Sequence, residues 1–331
     1  MATTLFDDLN PISSKQWKQK IQFELDGAEY NQTVIWNSPE DIQVKPFYHR
    51  DEFSKAAAVK TEASNFKICQ NIFVYDIEKS IQRAINTIER GAESLRFTIE
   101  NEKIDIQNLL ESLPLENRIV YFNLNFISID FVKKLETISL QKKAIFYCNM
   151  DPIGHFAREG NWFPTSDKNN FETIDNIAKA TANLSLLSID LGLYQNAGAN
   201  ITQQIAYSLA HANEYLNRLP NITKPFVFQV SVGTNYFFEI AKLRALRMLF
   251  KLIAEEYNNP DIECHLLVTP TKRNKTIYDY NVNMLRTTTE CMSAILGGAD
   301  SVANLPYDAL YHKDNEFGDR IARNQLLVLK H

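Results

Sequence analysis

Residues 184–199 read LSLLSIDLGLYQNAGA, and the prediction of the fold starts from this stretch. The apolar and small residues before Asp190 predict a buried strand that ends at that carboxylate. Gly192, Tyr194 and Gln195 follow it and predict a polar loop ahead of a long amphipathic helix. A buried strand followed by a polar loop and a helix is the repeating unit of parallel α/β proteins.

The same unit recurs along the chain from about Phe66. The runs typical of strands are 68–75, 94–99, 118–124, 143–148, 184–190, 226–232, 262–268 and 301–305. The stretches with helical periodicity are 76–90, 105–112, 128–139, 170–183, 201–219, 236–257, 281–297 and 317–329. Alternating strands and helices predict a parallel sheet with right-handed crossovers. Eight such units predict a (β/α)8 TIM barrel over residues 66–331; a doubly wound open sheet is the alternative.

The first part of the chain, residues 1–65, does not show this alternation of strand and helix patterns. Trp17, Ile21 and Leu25 recur every four residues and predict a helix over 14–27. Aromatic residues and prolines then follow with little periodicity. Because an apolar segment without its own core needs another surface to cover it, we predict an arm that packs on the barrel or wraps a partner.

Composition excludes several classes of protein. The net charge of -5 and the pI near 5.8 give no electrostatic reason to expect a nucleic-acid partner. Four widely spaced cysteines without metal-ligand spacing predict buried, reduced thiols and no metal site. The N-terminus has no secretory or mitochondrial leader pattern, and no stretch is apolar enough to cross a membrane. We therefore predict a cytoplasmic protein with no membrane association.

The usual short motifs of dinucleotide, phosphate, hydrolase, zinc-protease and cobalamin-ligand sites are absent from the sequence. What remains are polar residues at or just after the ends of predicted strands, which a barrel would bring to one mouth. The candidates for a remnant pocket there are Asn123, Asn149, Asp190, Tyr194, Gln195 and Asn235. The alternative is that such residues cap the helices that follow.

Two loops carry further candidates. His155, in the segment DPIGHFAREG, could act as an acid or base, but a hydrogen-bonded structural histidine is the alternative. The loop TKRNKT, residues 271–276, could hold an anionic group or be a solvated turn. Bulky residues in the strands, among them Tyr147 and Phe228, predict a barrel interior packed with side chains.

Long segments of the chain resemble the methylmalonyl-CoA mutase family, and within it the small, non-catalytic subunit. The resemblance covers essentially the whole chain. Its segments are WKQKIQFELDGAEYN, VKPFY, DPIGHFAR, YQNAGAN, FFEIAKLRALRML, NVNMLRTTTECMSAILGGADSVANLPYD and RIARNQLLVL.

The resemblance implies a barrel preceded by a partner-wrapping arm and followed by a cobalamin-binding domain, which is expected to be absent here because the sequence stops at His331. It also implies that Gly192 and Leu193 stand where the catalytic subunit has a Tyr and a His that act on substrate. Leucine cannot donate a hydrogen bond to a thioester carbonyl. No catalytic, cofactor-binding or metal-binding residue is therefore expected, and the isolated chain is expected to be inactive.

The resemblance further implies a heterodimer with a large catalytic mutase subunit, in which adenosylcobalamin serves the assembled enzyme and is not bound by this chain. Two alternatives stay open. One is a self-sufficient acyl-CoA-binding barrel that uses Asn123, Asn149, Gln195, Asn235 and the TKRNKT loop. The other is a subunit of a related acyl-CoA mutase.

Overall fold

The structure is a computed structural model that describes residues 9–53, 65–163, 167–312 and 315–331. The chain divides into two compact units, Met1–Val59 and Lys60–His331. Each unit has its own secondary structure, and the second contains the sheet predicted from the alternating pattern.

The second unit is a closed barrel of eight parallel strands, which confirms the predicted (β/α)8 fold and excludes the open sheet. The strands are β3 (Lys67–Phe73), β4 (Ser94–Ile99), β5 (Ile119–Leu124), β6 (Ile145–Met150), β7 (Ser185–Asp190), β8 (Phe226–Val232), β9 (Cys264–Pro270) and β10 (Ser301–Val302). Each strand pairs with its sequence neighbour, and β10 closes the ring against β3. All carboxyl ends therefore meet at one mouth.

The helices of this unit lie between and after the strands. They are α3 (Ile77–Glu89), α4 (Ile106–Glu111), α5 (Ile129–Lys142), α6 (Pro152–Glu159), α7 (Asp167–Ala180), α8 (Leu191–Asn196), α9 (Ile201–Arg218), α10 (Tyr236–Glu256), α11 (Val282–Gly297) and α12 (Glu316–Lys330). Side chains such as Asp76, Ser128 and Asn200 accept hydrogen bonds from backbone N–H groups of the first turn and fix where these helices begin.

Two connections differ from the prediction. The segment of His155 was predicted to be a loop, but it contains the helix α6. Asp151 caps the N-terminus of this helix, and Pro152 is its first residue. The polar loop predicted after Asp190 is the short helix α8, also capped by that aspartate. Both helices begin at a capping aspartate, at or directly after the end of a strand, and these caps are the signal that the sequence offered for them.

The apolar core forms two separate clusters. The larger one lies between the sheet and the helices, where Phe226 and Phe228 contact Phe250 of α10. The smaller one consists of strand residues that point into the barrel, and Tyr121 and Tyr147 are its largest members. The barrel interior is thus filled at the level of Tyr121 and Tyr147. Four other bulky strand residues belong to the outer cluster, because alternate residues of a strand face opposite sides: Val120, Phe122, Phe226 and Phe228.

The first unit contains α1 (Ser14–Glu24), α2 (Tyr30–Thr33) and an antiparallel pair, β1 (Trp36–Asn37) with β2 (Gln43–Val44). In residues 9–53 only Tyr30 and Ser38 are buried, and Trp17, Phe23 and Trp36 are about half exposed or more. Residues 1–8 and 54–64 of the predicted arm lie outside the described residues. The wrapping role of the arm stays a prediction.

Among the helices in the described ranges, none combines the length and apolarity that crossing a bilayer would require.

Candidate functional site

The mouth of the barrel contains a cavity of about 1000 Å³. Its walls are the carboxyl ends of the strands and the loops after them. The polar residues on which the argument below depends are Asn71, Arg96, Thr98, Asn123, Asp190 and Ser231. A polar pocket at this face is where (β/α)8 proteins place their functional sites.

A chain of hydrogen-bonded side chains at the base of the cavity links β6, β5, β8 and β7 and so crosses the barrel interior. Asn149 donates to Asn123 (Nδ2–Oδ1, 2.8 Å), and Asn123 donates to Gln229 (Nδ2–Oε1, 3.2 Å). Gln229 in turn donates to the hydroxyl of Ser188 (3.3 Å). The structure thus brings two of the predicted residues together, and neither caps a helix. These bonds fix the rotamers of the three amides. Of the residues in this hydrogen-bonded chain, Asn123 and Gln229 line the cavity wall.

Arg96 of β4 extends into this polar layer. Its Nε donates to Asn71 Oδ1 (2.7 Å) and its Nη1 to Gln229 Oε1 (3.5 Å). Sequence analysis missed this residue because the apolar pattern of β4 suggests only a buried strand. A charged residue inside an otherwise apolar strand was the signal available.

Asp190, at the end of β7, both lines the cavity and caps α8. Its Oδ1 accepts from the backbone N–H of Gly192 (2.9 Å), and its Oδ2 accepts from Arg158 Nη2 (3.0 Å). Burial, with the nearby charge of Asp151, raises the pKa of Asp190. The capping alternative is therefore correct for this residue, although its carboxylate also faces the cavity.

Gly192 is packed tightly against the mouth. A Cβ at this position would lie 2.7 Å from Ser231 Oγ and 2.9 Å from Asp190 Oδ1. Any side chain here requires both neighbours to move, which would disturb the cap of α8. Leu193 follows on the same short helix and is half-buried.

Tyr194 faces away from the cavity and contributes to a buried cluster. Its hydroxyl lies 3.0 Å from His211 Nδ1, and His211 Nε2 lies 3.0 Å from Asp151 Oδ1. Tyr215 donates to the same carboxylate oxygen (2.6 Å). Burial opposes ionisation of Asp151, but the neighbouring His211 and the hydrogen bonds outweigh it and lower its pKa. The four-residue spacing of His211 and Tyr215 on α9 was the signal for this cluster.

Gln195 and Asn235, the remaining two predicted residues, do not line the cavity. Gln195 is buried, and its side chain donates to the carbonyl of Ser231 (3.5 Å). Asn235 occupies the N-cap position of α10 without a side-chain capping bond. Of the predicted set, only Asn123 and Asp190 reach the cavity.

The TKRNKT loop is bonded to the barrel and differs from a solvated turn. Arg273 donates to the carbonyl of Gln195 (2.7 Å), and Lys275 forms a buried ion pair with Glu290 (Nζ–Oε2, 2.6 Å). Lys272 lies at the rim of the cavity. Two of the three cations are thus already paired inside the protein.

His155 has a structural role. Its ring stacks on Phe163 at a centroid distance of 3.9 Å, and partial burial lowers its pKa. The described part of the chain holds no group of three or more His, Cys, Asp and Glu side chains that could bind a metal ion. All four cysteines are buried and unpaired, as predicted.

Below the polar layer the barrel axis is closed by aromatic side chains. Tyr121, Tyr147 and His265 pack with centroid distances of 5.2, 5.7 and 4.4 Å, and Ser301 is hydrogen-bonded to Tyr121. We call these three rings the aromatic floor. A ligand that enters the mouth therefore meets a closed base.

Comparison with known proteins supplies the family context. The family model described as methylmalonyl-CoA mutase matches residues 102–331. The methylmalonyl-CoA mutase small subunit of Porphyromonas gingivalis is 29% identical over 98% of this chain, and that of Streptomyces virginiae is 28% identical over 77%. The chain covers 58% and 44% of those two proteins. The large subunit of S. virginiae is 30% identical over 41% of the chain, which covers 20% of it.

Proposed function

Because the chain belongs to the methylmalonyl-CoA mutase family, we propose that it is the barrel part of a non-catalytic small subunit. In this proposal it stabilises a large catalytic subunit by forming a heterodimer with it. The assembled enzyme uses adenosylcobalamin to interconvert methylmalonyl-CoA and succinyl-CoA. Relatives named as small and as large subunits support a multi-subunit enzyme.

The packing at Gly192 and Leu193 is the observation that carries the proposal. These are the positions at which the resemblance implies a catalytic Tyr and His. A side chain at Gly192 has no space between Ser231 and Asp190, and Leu193 offers no polar atom. The packing at these two positions thus leaves no space for a side chain at Gly192 and supplies no polar group at Leu193.

The aromatic floor supports the same proposal. A long, thin substrate arm that follows the barrel axis would have to pass Tyr121 and Tyr147, which are 0% and 8% exposed. Filling such space with rings stabilises the barrel, since each buried ring contributes about 2–3 kcal/mol of hydrophobic free energy. This interior favours stability over substrate passage.

The cofactor is assigned to the partner in this proposal. The mouth is lined by amides, hydroxyls, apolar side chains and three carboxylates, and its imidazole, His312, is bonded through Nδ1 to Asp308 (3.0 Å). This donor set does not fit a corrin cofactor that needs its own binding domain. Burial of four reduced cysteines is consistent with a cytoplasmic location, which we also propose.

Co-expression with the large subunit of the same organism tests the proposal. We expect the two chains to co-purify, the large subunit to be more soluble, and mutase turnover to be higher with this chain than without it. Turnover by this chain alone, supplied with adenosylcobalamin and methylmalonyl-CoA, would contradict the non-catalytic role.

A second candidate is the acyl-CoA-binding barrel, which the cavity of about 1000 Å³ favours. Calorimetric titration with CoA thioesters separates the two: micromolar binding supports the second candidate, and its absence supports the first. A different mutase substrate would appear as turnover of another acyl-CoA by the assembled enzyme.

A further inference from the structure

Arg96 is a cation inside the barrel whose hydrogen-bond partners are neutral. They are the side-chain oxygens of Asn71 and Gln229. Among the described residues, no carboxylate oxygen lies within 4.0 Å of its guanidinium nitrogens. Buried charges in proteins are ordinarily paired, so this arrangement calls for an explanation.

The guanidinium cannot resolve the problem by losing its proton. Burial lowers the pKa of Arg96, but arginine remains charged in proteins. The side chain is partly open to the cavity and lines its wall. The mouth therefore has a positive charge at its base that the surrounding protein does not neutralise by contact.

Three aspartates line the cavity, namely Asp190, Asp308 and Asp319. Asp190 is the one whose charge acts on Arg96. Both oxygens of Asp190 are already engaged. One is held by the N–H of Gly192 and the other by Arg158. Its position as the cap of α8 keeps it there. An attraction across the cavity remains, but no direct ion pair forms.

Further donors line the same cavity as the guanidinium. Since Asn71 uses its oxygen to accept from Arg96, its amide NH2 is left to donate elsewhere. The hydroxyls of Thr98 and Ser231 line the same cavity, and neither donates to another group in the described residues. Asn71, Thr98 and Ser231 thus add hydrogen-bond donors to the cavity that Arg96 lines.

We propose that the barrel mouth binds the carboxylate of a small organic acid on Arg96, with Asn71, Thr98 and Ser231 as additional donors. The planar guanidinium matches a carboxylate through two parallel hydrogen bonds. One unpaired cation beside Asp190 favours a singly charged carboxylate over a doubly charged phosphate. This site does not depend on the proposed assembly.

The cavity also limits the size of the ligand. A volume of about 1000 Å³ accommodates a small molecule, whereas the aromatic floor prevents it from passing deeper. The acid group therefore lies at the base, and the rest of the ligand extends towards the rim near Lys272.

Saturation-transfer NMR on the purified chain tests the site with butyrate, its neutral amide butyramide, and inorganic phosphate. We expect butyrate to bind and butyramide not to bind. Arg96→Gln should weaken the binding of butyrate at least tenfold. Arg90→Gln, which removes an exposed arginine of the outer surface, should leave the binding of butyrate unchanged. The proposal would be overturned if butyrate and butyramide bound equally, or if Arg96→Gln bound butyrate as well as the wild type. Binding of phosphate alone, or no binding at all, would also overturn it.

Asn71→Asp provides a second test that does not remove the arginine. The new carboxylate would stand where an oxygen already lies 2.7 Å from Arg96 Nε, and it would neutralise the guanidinium internally. We expect this variant to lose butyrate binding and to unfold at a higher temperature than the wild type. Retained binding would show that Arg96 is not the anchor.

Discussion

The hydroxyl of Tyr121 lies 2.6 Å from His265 Nε2, and this contact joins two strands whose residues are 144 positions apart in the sequence. The same hydroxyl bonds to Ser301 Oγ (2.8 Å). One buried oxygen thus links β5, β9 and β10 in the interior of the barrel. It holds the aromatic floor in place and closes the axis.

Removing this hydroxyl tests its contribution to stability. Tyr121→Phe leaves His265 Nε2 and Ser301 Oγ without their partner in a buried site, which costs about 1–3 kcal/mol of unfolding free energy. Urea denaturation measures the change. Tyr278→Phe is the matched control, because Tyr278 is 95% exposed, and an equal loss in both variants would contradict a special role for Tyr121.

The aromatic floor also predicts that the free energy of unfolding depends on pH. Burial lowers the pKa of His265 below its ordinary value of 6.5, and Arg247 acts in the same direction while Asp300 opposes both. The unfolded chain then binds a proton at a pH where the folded barrel does not. Stability contributed by neutral His265 is therefore present above pH 6.5 and is lost as the pH falls through that value towards the lowered pKa.

His265→Gln, which cannot be protonated, should reduce the fall in unfolding free energy between neutral and mildly acidic pH. Denaturation curves at a series of pH values measure this slope. His331→Gln, at the exposed C-terminal residue, is the control. A slope unchanged by His265→Gln would refute the assignment.

The buried pair of Lys275 and Glu290 predicts a large effect of a small change. Glu290→Gln keeps the shape but leaves the lysine ammonium uncompensated, and we expect a loss of about 3–5 kcal/mol in unfolding free energy. Glu255→Gln removes an exposed pair with Lys251 and should cost less than about 1 kcal/mol. Similar effects of the two substitutions would show that the loop pair is solvated in solution.

Placing Tyr and His at positions 192 and 193, where the resemblance implies catalytic residues, should not produce activity. Gly192→Tyr combined with Leu193→His meets Ser231 and Asp190 at close range, and the aromatic floor remains closed beneath it. We expect no turnover with methylmalonyl-CoA and adenosylcobalamin, together with lower thermal stability than Leu193→His alone. Detectable turnover would mean that the floor does not limit function.

Deletion of residues 1–47 should weaken heterodimer formation more than folding of the barrel. The described part of this segment exposes Trp17, Phe23 and Trp36 and buries few side chains of its own. Circular dichroism of the truncated chain reports the fold, and analytical ultracentrifugation with the large subunit reports association. Unchanged association would contradict the wrapping role.

The sequence predicted the ends of some strands well and the short helices poorly. The bounds 94–99 and 226–232 match β4 and β8, because apolar runs flanked by polar residues define them locally. The helices α6 and α8 were missed, although α4, which has six residues like α8, lies within the predicted range 105–112. The pocket residues were predicted at the carboxyl ends of the strands, where a cavity lies, and of these residues only Asn123 and Asp190 line it.

The sequence by itself determined the alternation of strands and helices, because their periods and caps depend on neighbouring residues. It also determined that Leu193 offers no catalytic group. The tertiary structure decided that the sheet closes into a barrel. Only the tertiary structure decided which strand faces point inward, and with them the contact of Tyr121 with His265 and the neutral partners of Arg96. These contacts depend on the register of strands far apart in the chain, which no local pattern encodes.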